Sequence, residues 1–264
     1  MTATAVTPLF LSRLHLNPRS RQVRSELAHP YEMHRTLMRA FPKATDEKQF
    51  KARDEFGVLF RADVDDRRGE VKVYVQSRIE PNWSFLDGLN DYLWAKVKQA
   101  EYEYKDIMTA CRKIQDGQIL SFRLRANPTK RIAKHDDKMK GKRVELRCED
   151  EQIDWLIRKG QGMGKKVPGG FDLLMNKVEN VTSEQRLVPC VNVYSEGKQK
   201  GRKKDAEHGQ ATTHLAVIFE GLLQVTDADA FLETLICGIG SGKAFGFGLL
   251  SVAPVRSSNL SEAK

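Results

Sequence analysis

No stretch of this sequence is apolar for long enough to cross a membrane as a helix. Such a span needs about 18 to 20 consecutive apolar residues, and the 264-residue chain, which is 40% hydrophobic and 30% charged, contains no run of that length. Residues 1–8 also lack the basic and then apolar order of a secretion signal. We therefore expect a globular protein of the cytoplasm that has no membrane partner.

Cysteine is scarce, and the four cysteines lie far apart without a CxxC pair. Zinc sites usually take ligands from such closely spaced pairs, and no acidic motif typical of a catalytic metal site is present either. We expect no metal and no other cofactor, and we expect the thiols to be reduced, small and buried. They are Cys111, Cys148, Cys190 and Cys237.

Acidic residues are outnumbered by basic ones, 35 to 44, which gives a net charge of +9. An excess of this size favours a polyanionic partner, because each phosphate that a protein neutralises releases counterions. Many basic proteins bind no nucleic acid, so the clustering of the charge along the chain carries more weight than its sum.

The first half of the chain has the element order of a split βαβ, or ferredoxin-like, unit. Alternating and helical hydrophobic patterns and their Pro and Gly boundaries define the elements. We predict a strand at 9–16, a basic connection at 19–24, a helix at 30–41, strands at 56–62 and 71–77, and a helix at 86–114.

A second unit of the same kind follows, so the predicted fold class is α+β with two tandem ferredoxin-like (RRM-like, βαββαβ) domains at 1–117 and 118–264. Asp227 is a suitable N-cap for a helix that ends at Gly238. No close sequence repeat accompanies the duplicated element order. The predicted elements are strands at 119–126 and 142–147, a helix at 149–159, strands at 172–181 and 214–225, a helix at 227–238 and a strand at 246–252.

The helix predicted at 30–41 places a histidine at the border between core and solvent. Pro30 suits the first helical position, where its missing N–H costs nothing. His34 lies at the edge of the apolar stripe, with Tyr31 one turn earlier and Arg35 next to it. The stripe consists of Met33, Leu37, Ala40 and Phe41. The side facing away consists of Glu32, Thr36 and Arg39.

A histidine, a phenol and a guanidinium on one border suit RNA cleavage by the ribose 2′-hydroxyl, which needs a base and an acid near neutrality. Arg35 would stabilise charge on the phosphate, and the first turns of the helix would favour that anion. The alternative is that His34 is an ordinary packed or solvated histidine. His29, directly before Pro30, is its closest rival.

A second signal is the segment CGIGSGKAFGFGLL at 237–250, where backbone N–H groups can approach phosphates. It is not a Walker A loop, because Ala244 stands where Ser or Thr should hold magnesium and a strand follows instead of a helix. KAFGF within it is similar to the RRM aromatic motif. The alternative is a glycine-rich turn between helix and strand. The expected RNA contacts are Gly238, Gly240, Gly242, Lys243, Gly246 and Gly248.

Further basic residues are expected to contact RNA, although a solvated loop is the alternative for the segment at 196–210 and the outward side of a half-buried strand is the alternative for the segment around 123–125. The cations of the loop are Lys198, Lys200, Arg202, Lys203 and Lys204. The cations of the predicted strands are Arg13, Arg123 and Arg125.

Four segments in this order resemble one protein family. They are SRLHLNPRSR near the start, HPYEMHRTLMRAFP around the histidine, FRLRANPTKR in the middle and GIGSGKAFGFGLLSVAP at the end. Together they resemble the CasE family, the CRISPR precursor-RNA endoribonucleases of type I-E Cascade systems. The resemblance extends over residues 9–254, but 95–115 and 160–170 match no pattern of the family.

The resemblance implies two ferredoxin-like domains and metal-independent cleavage beside a repeat hairpin, which leaves a 5′-hydroxyl and a 2′,3′-cyclic phosphate. It also implies that the enzyme keeps its product, so the CRISPR repeat RNA hairpin and other Cascade subunits are its expected partners. The family's catalytic histidine, tyrosine and neighbouring arginine fall on His34, Tyr31 and Arg35. Its glycine-rich loop falls on 238–248, and its RNA-gripping basic hairpin falls approximately on 197–204.

Two other function classes compete with an endoribonuclease. A non-catalytic subunit that holds a hairpin RNA would share the architecture but would not require Tyr31, His34 and Arg35 on one edge. A phosphate-binding metabolic enzyme is disfavoured by the missing Walker and dinucleotide-binding patterns and by the basic segments.

Overall fold

The computed structural model describes residues 7–42, 56–94, 101–132, 141, 143–163, 168–179, 185–202 and 211–255, without the side chains at 179, 200–202 and 211. It is a mixed α/β fold with antiparallel sheets, and its described residues form two compact units. The first takes residues from 1–113, 199–213 and 242–249, and the second takes the remainder.

The first unit contains four strands, β1 (Phe10–Leu16), β2 (Leu59–Asp65), β3 (Glu70–Ser77) and β4 (Tyr102–Asp106). They form an antiparallel sheet in the order β2-β3-β1-β4. Leu14 and Leu16 of β1 and Val73 and Val75 of β3 are buried, because alternate side chains of both strands face the same core. The strands predicted at 9–16, 56–62 and 71–77 are thereby confirmed, with shifted ends.

Two short helices lie between β1 and β2. The first, α1 (Arg21–Ala28), begins at Ser20, whose side chain accepts a hydrogen bond from the Val23 N–H. The predicted basic connection at 19–24 is therefore wrong, since most of it is helical. The second, α2 (Pro30–Leu37), has Pro30 in its first turn as predicted and continues as a 3-10 turn over Met38–Ala40.

The helix predicted at 86–114 is wrong in the described residues of that range. A 3-10 turn occupies Ser84–Gly88, β4 pairs with β1 over Tyr102–Asp106, and only α3 (Met108–Cys111) is α-helical. Tyr102 and Tyr104 gave the segment an apolar component that fits a helical period and a strand alternation equally well. The segment forms a strand because the backbone of β1 supplies its hydrogen-bond partners.

The second unit is built on a five-stranded sheet of β5 (Ile119–Ala126), β8 (Phe171–Leu173), β11 (Val191–Arg202), β12 (Ala211–Val225) and β13 (Leu250–Pro254). Its strand order is β11-β12-β5-β13, with β8 also paired to β12. Two antiparallel ribbons accompany the sheet, β6 (Thr129–Arg131) with β7 (Arg143–Glu145) and β9 (Met175–Glu179) with β10 (Gln185–Pro189). The strand predicted at 172–181 is divided between β8 and β9.

Both helices predicted for this unit are confirmed, as α4 (Glu149–Gly160) and α5 (Ala228–Cys237). Asp227 caps α5 by accepting from the Ala230 N–H at 2.9 Å, and Gly238 ends it. The last strand begins at Leu250 and not at 246, because the glycine-rich loop continues to 249.

The cysteines are free, but the expectation that they are buried is wrong. Cys148 is exposed, just before α4, and the other three are half-buried. Burial raises the pKa of the Cys111 and Cys190 thiols. In the part of the chain that the structure describes, no helix has the length and apolar character of a membrane span.

Candidate active site

Helix α2 brings the predicted tyrosine and histidine side by side in the first unit. The ring centroids of Tyr31 and His34 are 6.1 Å apart, as the i, i+3 spacing requires. Both side chains are half-buried, whereas Met33 and Leu37 on the same helix are buried in the core. The predicted border between core and solvent is therefore confirmed.

The His34 ring stacks on Phe60 of β2, with centroids 6.1 Å apart and planes 12° from parallel. Phe60 is 1% exposed, so it is a fixed surface that limits the orientations of the imidazole. Phe60 lies in a predicted strand, but no local sequence pattern marks it as a residue of the site. Only the pairing of β2 in the sheet brings it beneath the helix.

The glycine-rich loop supplies the neighbour of Tyr31. Phe245 lies 5.9 Å from the Tyr31 ring, centroid to centroid, in a short 3-10 turn over Lys243–Phe245 that packs on α2. Gly242 and Gly246 flank that turn with φ of +80° and +75°, a backbone conformation that other residues rarely adopt. The first unit thus contains Tyr31, His34 and the second half of the glycine-rich loop.

The glycines determine the conformation of the loop, and the expectation for its aromatic residues is wrong. All five predicted glycines have a positive φ, so the loop conformation does depend on them. The aromatic rings of KAFGF, however, do not form an exposed RRM-like stacking surface. Phe245 and Phe247 are 4% and 0% exposed, because they pack into the protein.

Arg35 is held by Glu32. Its guanidinium donates to the Glu32 carboxylate at 2.9 Å, and 58% of the Arg35 side chain is exposed. Arg35 and Tyr31 both line a groove of about 1060 Å³ beside α1 and α2, whose lining does not include His34. A surface ion pair contributes at most about 1 kcal/mol, so a phosphate in this groove could replace Glu32 as the partner of Arg35.

The predicted location in the first helical turns is correct for Tyr31 and wrong for His34. Helix α2 has eight residues, and His34 lies in its last turn, where its carbonyl accepts from the Met38 N–H. The C-terminal end of a helix favours a cation. The expected help of the helix N-terminus therefore does not reach His34.

A buried carboxylate, Glu26 of α1, lines the same groove and connects α1 to α2 through Thr36. It is 4% exposed and accepts hydrogen bonds from Thr36 at 2.6 Å, from Tyr92 at 2.5 Å and from Gln22 at 2.8 Å. Burial, together with the Glu26 carboxylate, raises the pKa of Tyr92, which keeps its hydroxyl a donor. Thr36, expected to face away from the core, is buried because α1 packs against it.

His29, the rival histidine, lies between the two helices. Its Nδ1 is 3.0 Å from the Ser25 carbonyl of α1, and its side chain makes no capping bond to α2. His29 is exposed and lies at the junction of the helices.

Each of the three arginines predicted to contact RNA is paired with a carboxylate on another strand of its own sheet. Arg13 is 2.6 Å from Glu103, and Arg123 is 2.5 Å from Glu220. Arg125 is 8% exposed and is 2.5 Å from Glu196. RNA contacts by these three side chains remain predictions, and Arg125 would have to leave its buried position.

The basic segment begins within a strand and not in a loop, since β11 continues to Arg202. Lys198 is exposed and lies 3.9 Å from Glu145. The side chains of Lys200 and Arg202 are not described, and Lys203 and Lys204 lie outside the described residues. Among the side chains that the structure does describe, no group of three or more His, Cys, Asp or Glu is arranged to hold a metal ion.

Comparison with known proteins finds relatives that match most of the chain. A family model described as "CRISPR associated protein" matches residues 9–254. The CRISPR-associated endoribonuclease Cse3 of Thermus thermophilus is 39% identical over 248 residues, which is 93% of this chain and 100% of that protein. The Cascade subunit CasE of Escherichia coli K12 is 31% identical over 233 residues, with 85% and 92% covered.

Solved structures similar to this chain carry the same kinds of name as the sequence relatives. A structure of the CRISPR endoribonuclease Cse3 bound to a 19-nucleotide RNA has a TM-score of 0.68 at 37% identity and covers 94% of this chain and 100% of that one. The CRISPR-associated protein Cas6e of Escherichia coli K-12 has a TM-score of 0.53 at 28% identity, covering 93% and 100%.

Proposed function

Because the chain belongs to the CasE/Cse3 family of CRISPR-associated proteins, we propose that it is an endoribonuclease that cuts CRISPR precursor RNA at the repeat hairpin. Its relatives are named an endoribonuclease and a Cascade subunit, and one is known in complex with RNA. The observation that carries the proposal is the contact between the Tyr31 and His34 rings at a half-buried border in the first unit.

The proposed reaction uses the RNA's own 2′-hydroxyl and needs no metal ion. The 2′-oxygen loses its proton to a base and forms a bond to the adjacent phosphorus, while the bond from phosphorus to the 5′-oxygen breaks. The leaving oxygen takes a proton from an acid, so the products are a 2′,3′-cyclic phosphate and a 5′-hydroxyl. His34 transfers one of these protons, since imidazole is the side chain that titrates nearest neutrality.

Tyr31 and Arg35 have supporting roles in this proposal. Tyr31 lies between His34 and Phe245, where its hydroxyl can hold or share the transferred proton. Arg35 exchanges Glu32 for the scissile phosphate and stabilises the charge that develops there, as a guanidinium does for phosphates.

We further propose that the enzyme retains its product and so becomes a Cascade subunit. The proposed RNA contacts combine the glycine-rich loop, whose backbone can approach phosphates, with the basic segment that begins at Lys198. The contacts are Arg13, Arg123, Arg125, Lys198, Lys200, Arg202, Lys203, Lys204, Gly238, Gly240, Gly242, Lys243, Gly246 and Gly248.

For the fold, we propose two ferredoxin-like domains in tandem, at 1–117 and 118–264. The support is the strand order: a central first strand flanked by the fourth and the third occurs in β4-β1-β3-β2 and again in β13-β5-β12-β11. Along the chain, α1 and α2 follow the first strand of the first sheet, α4 precedes β8, and α5 connects β12 to β13.

The test is cleavage of hairpin RNAs in EDTA with analysis of both new ends. We expect a cyclic phosphate and a 5′-hydroxyl, and we expect His34→Ala to slow cleavage by about 10²–10⁴-fold while it still binds RNA. His29→Ala is the comparison variant, since it removes an exposed histidine that lines the same groove as Tyr31 and Arg35, and it should slow cleavage much less than His34→Ala does.

The substrate offers a second control. Deoxyribose immediately 5′ of the cut should stop cleavage and spare binding. Efficient cutting of that deoxy substrate would eliminate the 2′-hydroxyl mechanism, and full activity of His34→Ala would remove His34 from the site. Tight binding without any cleavage by the wild-type chain would instead indicate a non-catalytic hairpin-binding subunit.

The basic segment has its own test. Alanine at its cations should weaken hairpin binding and reduce the dependence of log Kd on log salt by about 0.7 to 0.9 per lost phosphate contact. Unchanged affinity and slope would rule out this segment as an RNA contact. The cations are Lys198, Lys200, Arg202, Lys203 and Lys204.

A further inference from the structure

A compact group of cations lies on the β6–β7 ribbon of the second unit. Of this group, only Lys198 is among the RNA contacts proposed above. Arg131 and Arg143 are direct cross-strand partners in this antiparallel ribbon, so their side chains share one face. Glu145 lies on the same face two residues after Arg143, and Arg147 and Lys198 are each 3.9 Å from its carboxylate.

The charges on this face are poorly balanced. The ribbon face carries Arg131 and Arg143 beside Glu145, and Arg147 and Lys198 approach the Glu145 carboxylate only at 3.9 Å, which is long for an ion pair. Glu145 is 19% exposed, but the Arg147 side chain is 74% exposed and that of Lys198 is 53% exposed. Like charges directly opposite one another on two strands destabilise a ribbon, so Arg131 and Arg143 do not contribute to its stability.

The repulsion extends to the end of the neighbouring helix α4. Burial lowers the pKa of Lys159, and the Arg143 and Arg158 guanidinium groups lower it further. The Lys159 ammonium also lies 5.9 Å from the centre of the Trp155 ring. The face is therefore a site of positive potential, which an anionic ligand would relieve.

We infer that Arg131, Arg143 and Arg147 form a second RNA-binding surface, which contacts phosphates of the repeat RNA and continues the basic hairpin from Lys198. The three residues are here named the ribbon arginines. This inference rests on the proposed function and adds contacts to it. The planar fork of arginine matches the oxygens of a phosphate.

RNA fits this surface better than an acidic protein segment does. The surface is continuous with Lys198, which is part of the proposed RNA grip, through the shared carboxylate of Glu145. No aromatic residue stands at 129–131 or 143–147, so base stacking is not available there and binding would be independent of sequence.

The test replaces the ribbon arginines together by glutamine, which keeps most of the side-chain volume. Loss of about three phosphate contacts should reduce the salt slope by about 2 to 3 units and weaken hairpin binding on the order of 100-fold at 0.1 M salt. The loss should be the same for a hairpin of scrambled stem sequence. The cleavage rate at saturating RNA should stay unchanged, because the ribbon arginines belong to the second unit and Tyr31 and His34 belong to the first.

The matched control removes the same charge from the first unit, by Arg67→Gln, Arg68→Gln and Arg112→Gln. Arg67 and Arg68 belong to the exposed turn between β2 and β3, and Arg112 follows α3. This variant should keep a steeper salt dependence than the ribbon variant. Equal effects of the two variants would mean that only net charge matters, and would overturn the inference.

Thermal unfolding without RNA separates a structural role from a binding role. The ribbon variant should unfold at or above the wild-type temperature, since it removes the opposed pair Arg131 and Arg143. Normal RNA binding combined with lost assembly into Cascade would show a protein-docking surface and overturn the inference alone. A wild-type chain that does not bind hairpin RNA would overturn the proposed function and the inference together.

Discussion

Removing the Glu26 carboxylate should destabilise the first unit far more than removing an exposed carboxylate on the same pair of helices. Glu26 of α1 is 4% exposed and accepts from the hydroxyls of Thr36 on α2 and Tyr92 after the 3-10 turn. In Glu26→Ala both hydroxyls lose their acceptor. Tyr92 is fully buried, whereas Thr36 is 9% exposed and lines the groove beside α1 and α2.

The magnitude follows from counting those two groups. A buried donor left without an acceptor costs about 1–3 kcal/mol, so Tyr92 alone should lower the unfolding free energy of Glu26→Ala by about that amount. Thr36 should add less, because it lines the groove. The Gln22 amide, which also donates to Glu26, is exposed and can turn to water. Glu26→Gln should lose about 2 kcal/mol at most, because the amide keeps one acceptor and avoids the cost of burying a charge.

Urea unfolding followed by far-UV circular dichroism measures these free energies, and amide hydrogen exchange reports whether α2 opens locally. Glu32→Gln is the matched control, since it breaks the exposed pair with Arg35 and should change stability by less than about 1 kcal/mol. A Glu26→Ala protein within 1 kcal/mol of wild type would refute the reasoning. So would equal losses in the Glu26→Ala and Glu32→Gln variants.

Two further perturbations test other parts of the first unit. Burial lowers the folded-state pKa of His15 below its ordinary value of 6.5. The contribution of His15 to stability should therefore be constant above about pH 6.5 and fall as the pH drops, by at most about 1.4 kcal/mol per pH unit. His15→Asn should flatten a pH series of urea unfolding between pH 5 and 7, and an unchanged slope would contradict this assignment. Gly242→Val should lower the free energy of unfolding by about 1–3 kcal/mol, since φ is +80° and a Cβ would lie 2.9 Å from the Phe247 ring. The same substitution should slow RNA cleavage by moving Phe245 away from Tyr31. A variant with wild-type melting temperature and cleavage rate would show that the loop tolerates the side chain.

The sequence was sufficient to predict the parts of the site that depend on local pattern. Helical periodicity placed His34 at the edge of a buried stripe and Tyr31 one turn before it, and both positions are confirmed. Capping chemistry likewise predicted α5 from Asp227 to Gly238. These features depend on residues three or four positions apart, which are neighbours in any α-helix.

Features that depend on distant residues could not be predicted in the same way. Helix α1 has few apolar residues, and its buried positions Val23 and Glu26 acquire meaning only through the partners that pack on them. Phe60 and Tyr92 lie 26 and 58 positions after His34 in the chain. Phe60 nevertheless stacks on His34, and Tyr92 donates a hydrogen bond to Glu26, the carboxylate that bonds to α2. β4 was missed for the same reason, since its strand form depends on the edge of β1.

The short length of α2 explains why these distant contacts are needed. An isolated helix of fewer than about 12 residues is marginal in water, and α2 has eight residues with a proline at its start. Its conformation must therefore come from packing: Glu26 bonds to Thr36 on one side, and Phe60 and Phe245 contact the rings of His34 and Tyr31 on the other. Because the proposed chemistry needs the imidazole placed to within a fraction of an ångström, we expect these contacts to affect the cleavage rate as well as the stability. The same substitutions that loosen α2 should then slow cleavage before they unfold the protein.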